Sequence, residues 1–92
     1  MLRITEVFKD DKSIGLKLEG QLVGTWTPEL ERICLYHRDE ENKTIALDFS
    51  DVTFIDKNGV KMLKKIKDER IKIINCPLFI RSLLSDLIIC KD

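Results

Sequence analysis

Ala46-Leu47-Asp48-Phe49-Ser50-Asp51-Val52-Thr53-Phe54-Ile55-Asp56-Lys57-Asn58-Gly59-Val60-Lys61-Met62-Leu63 is the stretch on which the reading of the chain turns. Ile45, Leu47 and Phe49 alternate with smaller or polar residues, the period of a buried strand. Beyond it the period changes: Val60, Leu63 and Ile66 recur at spacings of three, as on one side of a helix. Between the two lies Asp56-Lys57-Asn58-Gly59, where Asp or Asn can cap the helix and Gly can supply a left-handed backbone. A strand, a short polar loop at its carboxyl end and a helix N-terminus form a common setting for a functional site.

Working outward, Arg3 to Lys9 and Ile14 to Gly20 read as two strands joined by the polar turn Asp10-Asp11-Lys12-Ser13, an antiparallel hairpin. Gly20 and Gly24 bracket a place where the backbone can bend or bulge. Thr27 is expected to cap a first helix with Pro28 at its first position, carrying Leu30, Ile33, Cys34 and His37 and ending near Arg38. The central strand is expected over Lys43 to Phe49 and a further strand over Ile71 to Cys76. Pro77 then opens a third helix with Leu78, Phe79, Leu83, Leu84 and Leu87. Strands alternating with helices after an initial hairpin predict an α/β domain: a mixed sheet, parallel after the hairpin, with helices mainly on one face. Leu47, Phe49, Val52, Phe54, Ile55, Leu63, Ile66, Ile73 and Leu83 are the expected core.

The central stretch resembles the signature of STAS domains, the fold of bacterial anti-sigma-factor antagonists. Leu47-Asp48-Phe49-Ser50-Asp51-Val52-Thr53-Phe54-Ile55-Asp56-Lys57-Asn58-Gly59-Val60 is similar in type at nearly every position to Leu-Asp-Leu-Ser-x-Val-x-Phe-Ile-Asp-Ser-Ser-Gly-Leu. Leu18-Glu19-Gly20-Gln21-Leu22 resembles the family's second strand, and Thr27-Pro28-Glu29-Leu30 the start of its first helix. The resemblance implies a single STAS-like domain over 1–92 and a non-catalytic role in protein interaction, signalling and transcription regulation. Its partner would be an anti-sigma kinase or another regulatory protein. Other lone STAS proteins serve as accessory subunits of transport NTPases, a second reading, and a small-ligand or lipid sensor is a third. One departure bears on regulation. The family's phosphate-accepting Ser falls at Asn58, which has no hydroxyl. The resemblance therefore implies a recognition loop, Asp56, Lys57, Asn58 and Gly59, without a serine phospho-switch. A residue-level account also suffices for Asn58, as a simple helix cap.

Composition narrows the classes further. The 92 residues are 43% hydrophobic and 35% charged, which suits one small globular domain. Sixteen basic residues balance sixteen acidic ones, so no global charge recruits nucleic acid or a membrane. The N-terminus lacks a basic-then-apolar layout and no apolar run approaches a membrane span, so the expected location is the cytoplasm. Three scattered cysteines, Cys34, Cys76 and Cys90, agree with a reducing compartment. Local charge is uneven. Lys57, Lys61, Lys64 and Lys65 project opposite Val60, Leu63 and Ile66, so Lys61, Lys64 and Lys65 become either a solvated face or a docking face for an acidic partner. Cys34 and His37 stand three apart but find no further Cys/His cluster, and neither a P-loop nor a dinucleotide fingerprint occurs, so no cofactor, metal or catalytic residue is expected. A degenerate phospho-receiver is the remaining rival, since Asp51 stands before Gly59 at a receiver-like spacing.

Overall fold

The computed structural model describes residues 2–66, 69–83 and 90–91. Strands β1 (Leu2–Lys9) and β2 (Ser13–Leu22) form the expected antiparallel hairpin, and β2 then pairs in parallel with β3 (Thr44–Ile55). β4 (Ile71–Ile74) and the two-residue β5 (Cys90–Lys91) extend the parallel part, giving a sheet of order β1-β2-β3-β4-β5. The helices are α1 (Trp26–Leu35), continued by a π-helical turn over Tyr36–Glu40, then α2 (Lys57–Lys65) and α3 (Leu78–Leu83). Leu84 and Leu87, expected on the third helix, lie outside the described residues, as does the side chain of Leu83.

Register explains which face of the sheet is the core. Ile14, Ile45 and Ile71 form one row across β2, β3 and β4, and Leu16, Leu47 and Ile73 form the next. All six are buried, together with Leu30 and Cys34 of α1, Met62 and Leu63 of α2 and Ile80 of α3, in one cluster. The alternate rows, Gly15-Ala46-Lys72 and Lys17-Asp48-Ile74, face away from that cluster, as the two-residue period of a strand requires. Burying one face under helices and leaving the other mixed and polar is what a sheet with an antiparallel edge permits.

Two expectations are corrected here. Phe54 is 51% exposed, not part of the core. The cause is a strand longer than Lys43 to Phe49, which reaches Ile55 through two register shifts against β2. Lys17 pairs with Asp48 but Glu19 with Asp51, and Gly20 pairs with Val52 but Gln21 with Phe54, so β3 gains a residue each time. Each extra residue re-aims the chain, and burial falls on Phe49, Val52 and Ile55, three apart, leaving Phe54 outside. Two side chains fit these irregularities: Asp48 Oδ1 accepts from Ser50 N–H at 2.9 Å, and Thr53 Oγ1 donates to the Gly20 carbonyl at 3.1 Å. The bend expected at Gly20 lies at the second shift, where its φ is 106°, a left-handed value that glycine tolerates.

The second correction concerns the start of α1. Thr25, not Thr27, is the N-cap and makes no side-chain cap bond, while Thr27 is buried in the first turn. Trp26 N–H donates to the Val23 carbonyl at 3.1 Å and Thr27 N–H to Gly24 at 3.3 Å, so the turn after β2 winds the helix up two residues early. Pro28 still lies within the first turn, where a missing N–H removes no intrahelical bond. On α3, Leu78 and Phe79 are exposed, and Ile80 is buried.

Candidate functional site: the β3–α2 loop and the face of α2

Asp56 sets the geometry of the loop. Its extended backbone makes it the N-cap of α2, and its Oδ1 accepts from Gly59 N–H at 2.8 Å, satisfying one of the helix's orphan donors. Its Oδ2 accepts from Gly24 N–H at 3.2 Å, and its own N–H donates to the Leu22 carbonyl at 3.3 Å. One carboxylate therefore ties the β2–α1 connection to the start of α2, across 32 residues of chain. The cap falls on Asp56 alone. Asn58, expected as a possible cap, is the second residue of the helix and exposed. Gly59 is buried for a packing reason: a Cβ there would lie 2.7 Å from Ile55 Cγ1 and 3.1 Å from the Leu22 carbonyl oxygen.

The basic residues lie where the helical projection puts them. Lys57, Lys61, Lys64 and Lys65 are exposed, whereas Met62, Leu63 and Ile66 are buried and Val60 is half-buried against the core. They are not equivalent. Lys65 Nζ sits 2.9 Å from Glu31 Oε2 and bridges α2 to α1, and Lys64 also has a partner. The ammonium groups of Lys57 and Lys61 have no ion-pair partner among the described residues. Two shallow grooves flank the helix. One, of about 330 Å³, lies between α1 and α2, with Gly24, Pro28 and Glu31 on one side and Asn58, Lys61 and Lys65 on the other. The second, of about 310 Å³, runs from Ile55 and Asp56 past Lys57 to Val60 and Lys61. Lys61 lines both and stands on the crest between them.

Apolar surface is exposed at the same end of the sheet, which sequence reasoning missed. Phe54 is the next-to-last residue of β3, and Leu78 (79% exposed) and Phe79 follow the carboxyl end of β4, which runs parallel to β3. For Phe54 the signal was present in the wrong form, since it looks like core in a pattern that ignores the bulges of β3. The opposite end of the sheet carries a polar cluster at the π-helical turn. His37 Nδ1 and Glu41 Oε1 lie 2.5 Å apart, Lys9 Nζ sits 3.4 Å from Glu41 Oε2, and Arg70 donates to Asn42. His37 and Lys9 hold the Glu41 carboxyl below its usual range.

Chemistry is sparse elsewhere. Cys34 is fully buried, and desolvation pushes its thiol up to about 12, so it is a neutral packing group. Among the described residues no three His, Cys, Asp or Glu side chains are grouped to hold a metal ion. Among those residues, too, no helix is long and apolar enough to cross a membrane.

No protein-family model and no curated protein sequence matches the chain. Solved structures do. The chain superposes on the anti-sigma factor antagonist SpoIIAA in its unphosphorylated form with a TM-score of 0.72. That likeness spans 98% of this chain and 88% of the other, at 15% sequence identity. The chain has the STAS-like α/β fold of an anti-sigma-factor antagonist.

Proposed function

We propose that this chain is a non-catalytic interaction domain that docks a regulatory protein of acidic surface through α2 and the loop before it. In this reading it works as anti-sigma-factor antagonists do, but without a serine phospho-switch at the loop. One observation carries the proposal: Lys57, Asn58, Lys61, Lys64 and Lys65 are all exposed at the end of the sheet where Phe54 is also exposed. Exposed ammonium groups at the same end of the sheet as an exposed aromatic ring offer charge complementarity at the rim and an apolar anchor at the centre. The fold likeness to SpoIIAA supports the partner class, an anti-sigma kinase or a related regulator.

The direct test replaces Lys61, Lys64 and Lys65 with Glu. The immobilised native chain captures a partner, and affinity is then measured for native and triple variant at two salt concentrations. The variant should associate more slowly, and native binding should weaken with salt, because exposed charges are screened beyond about 8 Å at physiological ionic strength. Equal affinity with no salt dependence would leave the lysines as a solvated face. None of residues 56–59 carries a hydroxyl, so an anti-sigma-type kinase should leave the native loop unmodified, whereas Asn58→Ser should create an acceptor. Phosphate on native Ser50 or Thr53 would point to another switch; Ser50 is exposed, while the Thr53 hydroxyl donates to Gly20.

A transport NTPase could use the same face, and the identity of the captured protein separates that reading. The α1–α2 groove is a feature that favours a small-ligand sensor, and a thermal-shift screen would address it. The receiver reading fares worse. Receiver-type sheets are parallel with the first strand between the second and third, while here the sheet order follows the chain and β1 is antiparallel.

A further inference from the structure

Packing dictates glycine at position 59, because a Cβ there would meet Ile55 Cγ1 at 2.7 Å. That requirement places a residue without a side chain directly after Asn58, so no side chain at position 59 hinders approach of the Asn58 amide to the Gly59 nitrogen. Asn58 is exposed, and among the described residues its side chain has no hydrogen bond. Asparagine before glycine is the dipeptide most open to intramolecular deamidation.

We propose that Asn58–Gly59 is a modification site at which the loop acquires a negative charge by deamidation, and that the Asp56 cap sets its rate. In the first step the Gly59 amide nitrogen loses its proton and attacks Asn58 Cγ. The new C–N bond forms as the Cγ–Nδ2 bond breaks, and ammonia leaves with the proton. Water then opens the cyclic imide, giving aspartate or isoaspartate at position 58. One amide and one water become one carboxylate and one ammonium ion, the ammonia taking up the proton that the new carboxyl group releases.

The folded loop holds this chemistry back. Gly59 N–H donates to Asp56 Oδ1 at 2.8 Å, and Asn58 lies within the first turn of α2, where the helical backbone is fixed. Attack needs both constraints released, so it proceeds from a locally opened first turn. The turn is closed by the Asp56 carboxylate and by Val60 N–H donating to the Asp56 carbonyl at 3.1 Å. Opening of this turn is therefore the gate. The two products differ. Aspartate at the second helical position is favoured by the dipole and lies beside Lys57, whereas isoaspartate reroutes the backbone through the side chain and breaks the first turn. Either product subtracts charge from the basic face; that consequence for docking rests on the proposed function, but the modification does not.

The test needs no partner. The folded native chain, Asp56→Ala, Asp56→Ser and Asn58→Gln are incubated at mildly alkaline pH, beside the native chain unfolded in urea, and modification is followed by peptide mass mapping. In urea, residue 58 should be modified ahead of Asn42 and Asn75, which precede Lys43 and Cys76. Folding should slow it. Asp56→Ala, which removes the acceptors of both Gly59 N–H and Gly24 N–H, should speed modification at residue 58 about thirtyfold over native, the change in opening that loss of this cap produces. Asp56→Ser, which keeps a capping oxygen, should stay near the native rate, and Asn58→Gln should lose the signal. The proposal is overturned if Asp56→Ala matches native, if Asp56→Ser accelerates as much as Asp56→Ala, or if the rise at residue 58 is no greater than at Asn42 and Asn75.

Discussion

Gly15 and Gly59 both occupy positions where a methyl group would collide, yet they should answer alanine differently. At Gly15 the obstruction is the ring of Phe8, with Cε1 2.1 Å from where a Cβ would stand, and that ring is 47% exposed. It can swing toward water, so Gly15→Ala should cost less than about 1 kcal/mol in chemical denaturation. At Gly59 the obstruction is Ile55 Cγ1 and the Leu22 backbone, neither free to leave. Forced repacking costs about 1–3 kcal/mol, and helix propensity returns at most about 1, so Gly59→Ala should lower stability. Phenylalanine offers a matching contrast. Phe49→Ala removes a fully buried ring and should cost about 3–5 kcal/mol, enough to threaten a domain whose total is about 5–15. Phe54→Ala, on a ring half in water, should cost about 1 kcal/mol or less. A denaturation midpoint for Phe54→Ala as low as that for Phe49→Ala would contradict the outward turn given by the bulges.

At the scale of elements, α2 depends on its first turn. Asp56→Ala removes the acceptor for Gly59 N–H and also the one for Gly24 N–H, so the cost should reach the upper part of the usual range for a lost cap, about 2 kcal/mol. Hydrogen exchange would locate it: protection should fall at residues 59–60 and, because of the second bond, at residue 24. Loss confined to α2 would mean that the Gly24 bond contributes nothing. The π-helical turn after α1 is a second element held by side chains. His37 and Glu41 stand one turn apart on it, and Lys43 N–H reaches back to the His37 carbonyl at 2.9 Å, which steers the chain from helix into β3. Asn42, at φ 55°, adopts the left-handed conformation that this change of direction needs.

For the whole molecule, acid should be the destabilising direction. Glu41 has its pKa lowered chiefly by the hydrogen bond to His37, Asp39 by Arg38, and Asp10 by the backbone N–H groups of Lys12 and Ser13. Burial raises the pKa of Asp48, but hydrogen bonds from Ser50 and Asn75 more than offset it. A carboxyl whose folded pKa lies below its unfolded one contributes stability above the unfolded value. That contribution is lost as the pH falls through the folded value. Stability should therefore be nearly level from about pH 7 to 5 and decline below about pH 4. Urea titrations across that range check it, and a midpoint that rises toward pH 3 would contradict the assignment of these partners.

How much of this was legible beforehand follows from the range of each interaction. The hairpin, the parallel run after it, α2 and the outward side of its lysines were written in periods of two and three to four residues, which are local and survive without partners. Asp56 was a candidate cap from its place before Gly59, yet its bond to Gly24, far away in the chain, could not be seen. Phe54 was misplaced for a related reason. A strand's alternation holds only while its register holds, and the shifts in β3 arise from pairing with β2 around Gly20. The early start of α1 likewise depends on how the chain turns after β2 at Val23 and Gly24. Local periodicity and composition were enough to set the elements, their order and the charge carried by α2. Only the tertiary structure decided which aromatic rings face water, which carboxylate closes the loop and why position 59 must be glycine, because each depends on neighbours brought together by the sheet.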